Sequence, residues 1–269
     1  MNHLLRELAP VSGEAWGAID EEASRTLRHF LAARKVVDFS GPHGWAHSAE
    51  TLGRVDALGA APAAGVDAAI RRMQPLAELR TPFELSRREL EAIDRGSRDY
   101  DLQVVIYAAR QAASAEDAAV FHGYDAAGIA GISDSTPHAP IVISDDYNDY
   151  PGTVARAVAM LQSASIGGPF AIALGPRCYT GVIETTEHGG YPVLEHIRLI
   201  LGGPVVWAPA VDGAVVVSLR GGDFQLTCGQ DFSIGYVDHD ADSVRFYVEE
   251  SMTFRSLSPE AGVALVYGD

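Results

Sequence analysis

Two places in the sequence bring a histidine close to several carboxylates, the combination that general acid–base catalysis or cation binding requires. The first is His188 with Glu184 and Glu187 in ETTEHGGYP; the second is His239 with Asp238, Asp240 and Asp242 in VDHDADS. Both lie in polar turns, where a solvated surface is the simpler account. The DHDAD run also lacks the glycine and distal glutamate of a calcium loop. Cys178 and Cys228 stand far apart, with no C-x-x-C and no histidine at ligand spacing, which argues against a disulfide framework and for a reducing cytoplasm. The phosphate loop G-x-x-x-x-G-K-S/T, the dinucleotide fingerprint G-x-G-x-x-G, H-E-x-x-H and G-x-S-x-G are all missing. The expectation is a non-enzyme, with no catalytic residue, no resident cofactor and no metal.

Composition narrows the partners. The 269 residues, 47% of them hydrophobic, can bury one large or two modest cores. With 36 acidic against 20 basic residues the formal charge is −16, so a nucleic-acid backbone would be repelled rather than neutralised. The N-terminal MNHLLRELAP has no apolar signal-peptide core, and no window approaches the apolar length of a membrane span. A soluble, unexported chain is expected, with neither nucleic acid nor membrane as partner.

The elements that must position any site are clearest in Arg220–Phe254. Phe224, Leu226 and Cys228, then Phe232, Ile234 and Tyr236, then Val244, Phe246 and Val248 recur at period two, which predicts three antiparallel strands with one apolar face that needs a cover. At the other end, Trp16, Ile19, Ala23, Leu27, Phe30 and Leu31 form a helical stripe that ends before Ser40-Gly41-Pro42. Residues 45–82 are Ala- and Gly-rich with strand-like ends, so they form either a flexible linker or an arm ordered by pairing with another copy of the chain. A capping box at Ser86-Arg87-Arg88-Glu89 starts a short helix, its Ser86 side chain accepting from the Glu89 N–H, and a longer helix runs from Leu102 to Val120. From Asp134 the pattern becomes α/β: a helix after Pro151, strands at Phe170–Leu174, Tyr179–Ile183, Pro204–Trp207 and Val215–Leu219, and a helix at Val193–Leu201.

The order GPHGW, Ala-rich arm, ELSRRELEAIDRG, VFHGYDAAGIAGI, ETTEHGGYP and RGGDFQLTCGQDFSIGY resembles the encapsulin shell proteins, a family also known as linocin-type bacteriocins. The resemblance covers essentially the whole chain. It implies an α+β, HK97-type phage capsid fold, divided into an N-terminal helix and arm (1–45), an extended E-loop (46–82), a P-domain with its spine helix (83–133), an A-domain (134–221) and a P-domain terminal sheet (222–269). It also implies a homo-oligomeric icosahedral shell in the cytoplasm, an encapsulin nanocompartment. Cargo enzymes of the dye-decolorising peroxidase or ferritin-like kind would be captured by a C-terminal peptide. Carried over residue by residue, the cargo groove takes in Leu27, Leu31, Val36, Asp38, Asp231, Phe232, Ile234 and Tyr236. The pore loop takes in Glu184, Glu187, His188, Gly189, Gly190 and Tyr191. A phage or prophage major capsid protein is the alternative of the same fold, and a secreted bacteriocin or protease the alternative of a different class.

Overall fold

The computed structural model of the chain describes residues 3–187 and 189–268. In order, its elements are α1 (Gly13–Phe30), β1 (Asp38–Ser40), β2 (Ala49–Ala57), β3 (Ala69–Pro75), β4 (Ala77–Ser86), α2 (Arg87–Asp94), α3 (Gln103–His122), α4 (Ile132–Ser135), β5 (Ile141–Ile143) and α5 (Tyr150–Ser163). They continue with β6 (Phe170–Leu174), α6 (Pro176–Glu184), α7 (Val193–Leu201), β7 (Val205–Trp207), β8 (Ala214–Ser218), β9 (Phe224–Cys228), β10 (Ser233–His239), β11 (Ser243–Ser256) and β12 (Gly262–Tyr267).

The period-two segments do form strands, but they are not a simple meander. Strand β11, 14 residues long, is the hub. One edge pairs antiparallel with β4 from Ser243↔Ser86 to Met252↔Ala77. The other edge pairs first with β10 and then with β9, while β1 adds a parallel strand outside β9. Residues 77–82, grouped above with the arm, thus belong to this sheet. Val244, Phe246 and Val248 face the helices: Trp16 of α1 meets the Phe246 ring edge-on at 5.3 Å, and Phe83 stacks on it at 5.3 Å. Ile19 and Ala23 of α1 and Val105, Ala109 and Ala112 of α3 complete that core. The alanines keep α3 thin, so helix and sheet backbones approach closely.

The second sheet has the order β5-β12-β8-β6-β7, with β6 and β8 buried along their whole length beneath α5 and α7. Residues 262–267, grouped above with the terminal sheet, lie here instead, antiparallel to β8 and parallel to β5. Strand β11 contributes to both cores, Val244, Phe246 and Val248 to the first and Met252 and Phe254 to the second.

Three local expectations are corrected. Tyr179–Ile183 is helical within α6: Pro176 sits in the first turn, and Cys178 and Val182 are buried four residues apart while Ile183 is exposed, a helical rather than an alternating pattern. Helix α1 stops at Phe30, short of Ser40, because the Asp117 carboxylate accepts the Ala32 and Ala33 amides at 2.9 Å each and so removes those donors from the helix. Ser86 caps α2 through the Arg88 amide at 3.1 Å, not that of Glu89, and the Glu89 carboxylate instead accepts from the Asp101 amide.

The β2–β3 hairpin pairs with itself and not with either sheet. Val55, Ile70 and Met73 stand exposed on it. No helix among the described residues is long and apolar enough to cross a membrane.

Phe246 is fully buried at the centre of the first core. Phe246→Ala should cost about 3–5 kcal/mol by removing its transfer free energy and leaving a cavity. The check is the unfolding midpoint in urea, and a loss below ~1 kcal/mol would contradict this packing.

Candidate functional site

A groove of about 440 Å³ runs between α1 and β10. Its floor is apolar and buried: Ala23, Leu31, Ile234 and Val248. Leu27 and Phe232 form its walls, both only partly buried, so apolar surface is presented to whatever enters. Their placement follows from local structure: Ala23 and Leu27 lie one helical step apart on α1 and Leu31 caps its C-terminal end, whereas Ile234 lies on β10 and Phe232 in the bend just before it.

Charges frame this surface. Toward one end Arg6 holds Asp20 through a forked pair, Nη1 to Oδ1 at 3.2 Å and Nη2 to Oδ2 at 2.7 Å, and lies 3.8 Å over the Trp16 ring. Also on the lining is Arg34, whose guanidinium sits 5.0 Å from the Phe232 ring and 4.7 Å from that of Phe39. Arg34 donates to Glu116 through Nε and Nη2, to Glu250 Oε1 at 2.6 Å and to Asp231 Oδ1 at 2.9 Å. Burial works against its charge, but the Glu116 hydrogen bonds and the surrounding carboxylates outweigh burial and raise its pKa above the ordinary arginine value. Burial raises the pKa of Glu250 well above the usual glutamate range, with Glu116 adding and Arg34 opposing. Asp231 Oδ1 also accepts the Phe232 amide at 2.9 Å, so the ion-pair network sets the turn that presents Phe232.

Of the expected groove residues, the structure gathers Leu27, Leu31, Asp231, Phe232 and Ile234. Val36 and Asp38 line a separate small cavity beside Ser218 and Phe224, and Asp38 accepts the Gly222 amide at 2.6 Å. Tyr236 faces a third cavity with His3, Arg80 and Tyr247, its hydroxyl 2.5 Å from His239 Nδ1. The Arg34 cluster escaped notice in the sequence, although Glu116-Asp117 within an alanine-rich helix and Glu249-Glu250 within an apolar strand were its visible trace.

The expected pore loop lies between α6 and α7. Glu184 closes α6 and is exposed, as are Gly189, Gly190 and Tyr191. Glu187 is not free: its carboxylate meets His196 Nδ1 at 2.6 Å, and its amide donates to the Tyr191 carbonyl at 2.8 Å. His188 lies outside the described residues. In the His239 turn, Asp238 and Asp240 pair with Arg245, and Asp240 accepts the Asp242 and Ser243 amides, which bring its pKa down to about 2. Asp238 and Asp240 are thus engaged in holding the turn.

The fold defines a class. The chain resembles a subunit of a virus-like particle from Pyrococcus furiosus with a TM-score of 0.67 at 16% identity, over 93% of this chain and 98% of that one. It matches the capsid of an empty GTA particle with a TM-score of 0.56 at 15% identity, over 89% and 90%. These likenesses establish an α+β, HK97-type capsid fold. At the level of sequence, residues 1–253 match the family model described as "Encapsulating protein for peroxidase". The type 1 encapsulin shell proteins of Rhodospirillum rubrum and Mycolicibacterium paratuberculosis are 54% and 46% identical, each over 98% of this chain and over 96% and 99% of their own lengths. The chain belongs to the type 1 encapsulin shell protein family.

Asp117, fully buried, has its pKa pushed up to about 7 by burial, against the pull of the Ala33 and Ala32 amides. The folded chain therefore holds this proton more tightly than the unfolded chain. The resulting stability is complete below the ordinary aspartate range and is lost as pH rises through about 7. The native unfolding midpoint should fall between roughly pH 4 and 7, and Asp117→Asn should flatten that slope. Parallel profiles would show that Asp117 does not titrate in this window.

Proposed function

We propose that this chain is the repeating subunit of a closed icosahedral shell, a cytoplasmic nanocompartment, that captures a guest enzyme through a short extended peptide. The groove between α1 and β10 carries this proposal: an apolar floor, two partly exposed apolar walls and fixed charges suit a peptide whose alternate side chains drop into pockets. Leu27, Leu31, Asp231, Phe232 and Ile234 are its binding residues. The family description supports a peroxidase as guest. Once the shell encloses many subunits, effective concentration makes up for weak individual binding. The role is assembly and capture, with no catalytic step.

The other elements take parts in this scheme. The hairpin β2–β3 is the E-loop, whose exposed Val55, Ile70 and Met73 are buried by a neighbouring subunit. The first sheet with α1 to α3 forms the P-domain and the second sheet the A-domain. Repeated around a symmetry axis, Glu184 and its loop form an acidic ring that favours cations over anions. Glu187 contributes less there than Glu184 because His196 engages it.

Size-exclusion chromatography and negative-stain microscopy of the chain alone should show closed, uniform shells; a stable monomer would overturn the assignment. Coexpressed with a peroxidase bearing its C-terminal tail, Leu27→Asp and Phe232→Asp should leave shells intact and reduce loading roughly tenfold or more, because each places an unpaired charge on the apolar wall. Normal loading in both variants would remove the groove from the proposal. Separately, Ile70→Asp is expected to yield folded but unassembled chains, seen as a shift to small species with unchanged circular dichroism; normal shells would mean that the hairpin face is not an interface.

A further inference from the structure

The cluster beneath the groove holds more negative than positive charge. Among the described residues its guanidinium is Arg34, set against Glu116, Glu250 and Asp231. Glu116 alone takes three of the Arg34 hydrogen bonds, at 3.0, 2.9 and 2.6 Å, so Arg34 stays anchored without the other two carboxylates. Glu250 Oε2 has no hydrogen-bond partner although the side chain is 0% exposed. A buried carboxylate oxygen left bare in this way calls for a counter-charge. Beside the same carboxyl stands Cys228, buried, with its Sγ 3.8 Å from the other oxygen, Glu250 Oε1. One ligand atom from each of Cys228, Asp231 and Glu250 lies within 4.8 Å of the others.

We propose that Cys228, Asp231 and Glu250 form a binding site for a divalent cation of the Zn²⁺ class, held by one sulfur and two carboxylate oxygens with a fourth position open to water. One thiolate with two carboxylates suits Zn²⁺ or Co²⁺ better than Mg²⁺ or Ca²⁺, which take oxygen ligands alone. The supporting frame is rigid. Cys228 ends β9, Glu250 lies within β11, and the turn that leads from Cys228 toward β10 is pinned to β11 where the Gly229 amide donates to the Ser251 carbonyl at 2.8 Å. A Cβ on Gly229 would come within 2.6 Å of Ser251 Oγ, so only glycine allows this approach. Asp231, with its side chain 41% exposed on the groove, gives the ion an entry path.

Binding displaces the Cys228 thiol proton to solvent as the Sγ–metal bond forms. With Arg34 and Glu116 neutralising each other, thiolate, two carboxylates and the divalent ion together carry one negative charge. Without the ion, burial favours the protonated form of Glu250, so the ion displaces that proton to solvent as well when Glu250 binds it. Because Asp231 also fixes the Phe232 amide, the ion would stiffen one wall of the groove. The site shares Asp231 with the proposed guest groove, but metal binding is read without guest or shell, so its failure and the failure of that reading are distinguishable.

The test is titration of the chelator-stripped, full-length protein with Co²⁺, followed by competition with Zn²⁺. A saturable thiolate-to-Co²⁺ absorption band at one ion per chain is expected, lost in Cys228→Ser and weakened roughly tenfold or more in affinity in Asp231→Asn. No such band in the native protein would overturn the proposal, as would equal affinity in both variants. Should Cys228→Ser fail to fold by circular dichroism, Asp231→Asn decides, since its side chain is partly in solvent; unchanged affinity there overturns the site.

Discussion

A strand paired along both edges cannot slip by one residue without turning every side chain to the opposite face. Strand β11 is under that constraint from β4 on one side and from β10 and β9 on the other. Its register places Val244, Phe246 and Val248 under α1 and α3, and two residues further on it places Glu250 on the same face. The apolar cover and the charged cluster are consequences of one register. The groove depends on it too, since β10 pairs with β11 and carries Ile234, with Phe232 just ahead of its first residue, to the edge of α1.

Placing charge on that face is costly in itself, because two fully buried carboxylates must be compensated or protonated. Arg34 meets the demand in part. It is brought in because Asp117 captures the Ala32 and Ala33 amides, ending the run of α1 and turning the chain back across α3. The helix that covers the sheet, the turn that ends it and the cation that fills the cluster are therefore coupled. Variants in any of the three should not behave additively.

The structure divides its apolar surface in a way that fits a subunit more than a free-standing protein. The strands of both sheets are largely buried, yet the β2–β3 hairpin leaves Val55, Ile70 and Met73 in solvent and, among the described residues, pairs strand to strand with neither sheet. A two-stranded ribbon is marginal in water on its own. In the shell proposed above, such a surface would be covered by another copy of the same chain.

The sequence alone determined the elements whose pattern is local. Alternation in Phe224–Cys228 and Val244–Val248, the stripe of α1, and Pro151 at the start of α5 each follow from side-chain periodicity or from a fixed backbone torsion. Glycine- and motif-rich segments such as RGGDF and ETTEHGGYP carried the family resemblance. Only tertiary structure decided which strand lies next to which, because pairing partners are separated by long stretches of chain and alternation does not encode them. Thus β4 and β12 joined sheets that their positions in sequence did not suggest. The same reason explains the groove. Leu27, Leu31, Phe232 and Ile234 converge through packing, whereas Val36, Asp38 and Tyr236, equally plausible by motif, are carried to other faces. The charged floor was least legible, since Arg34, Glu116 and Glu250 are ordinary surface residues until folding removes the water that would have solvated them.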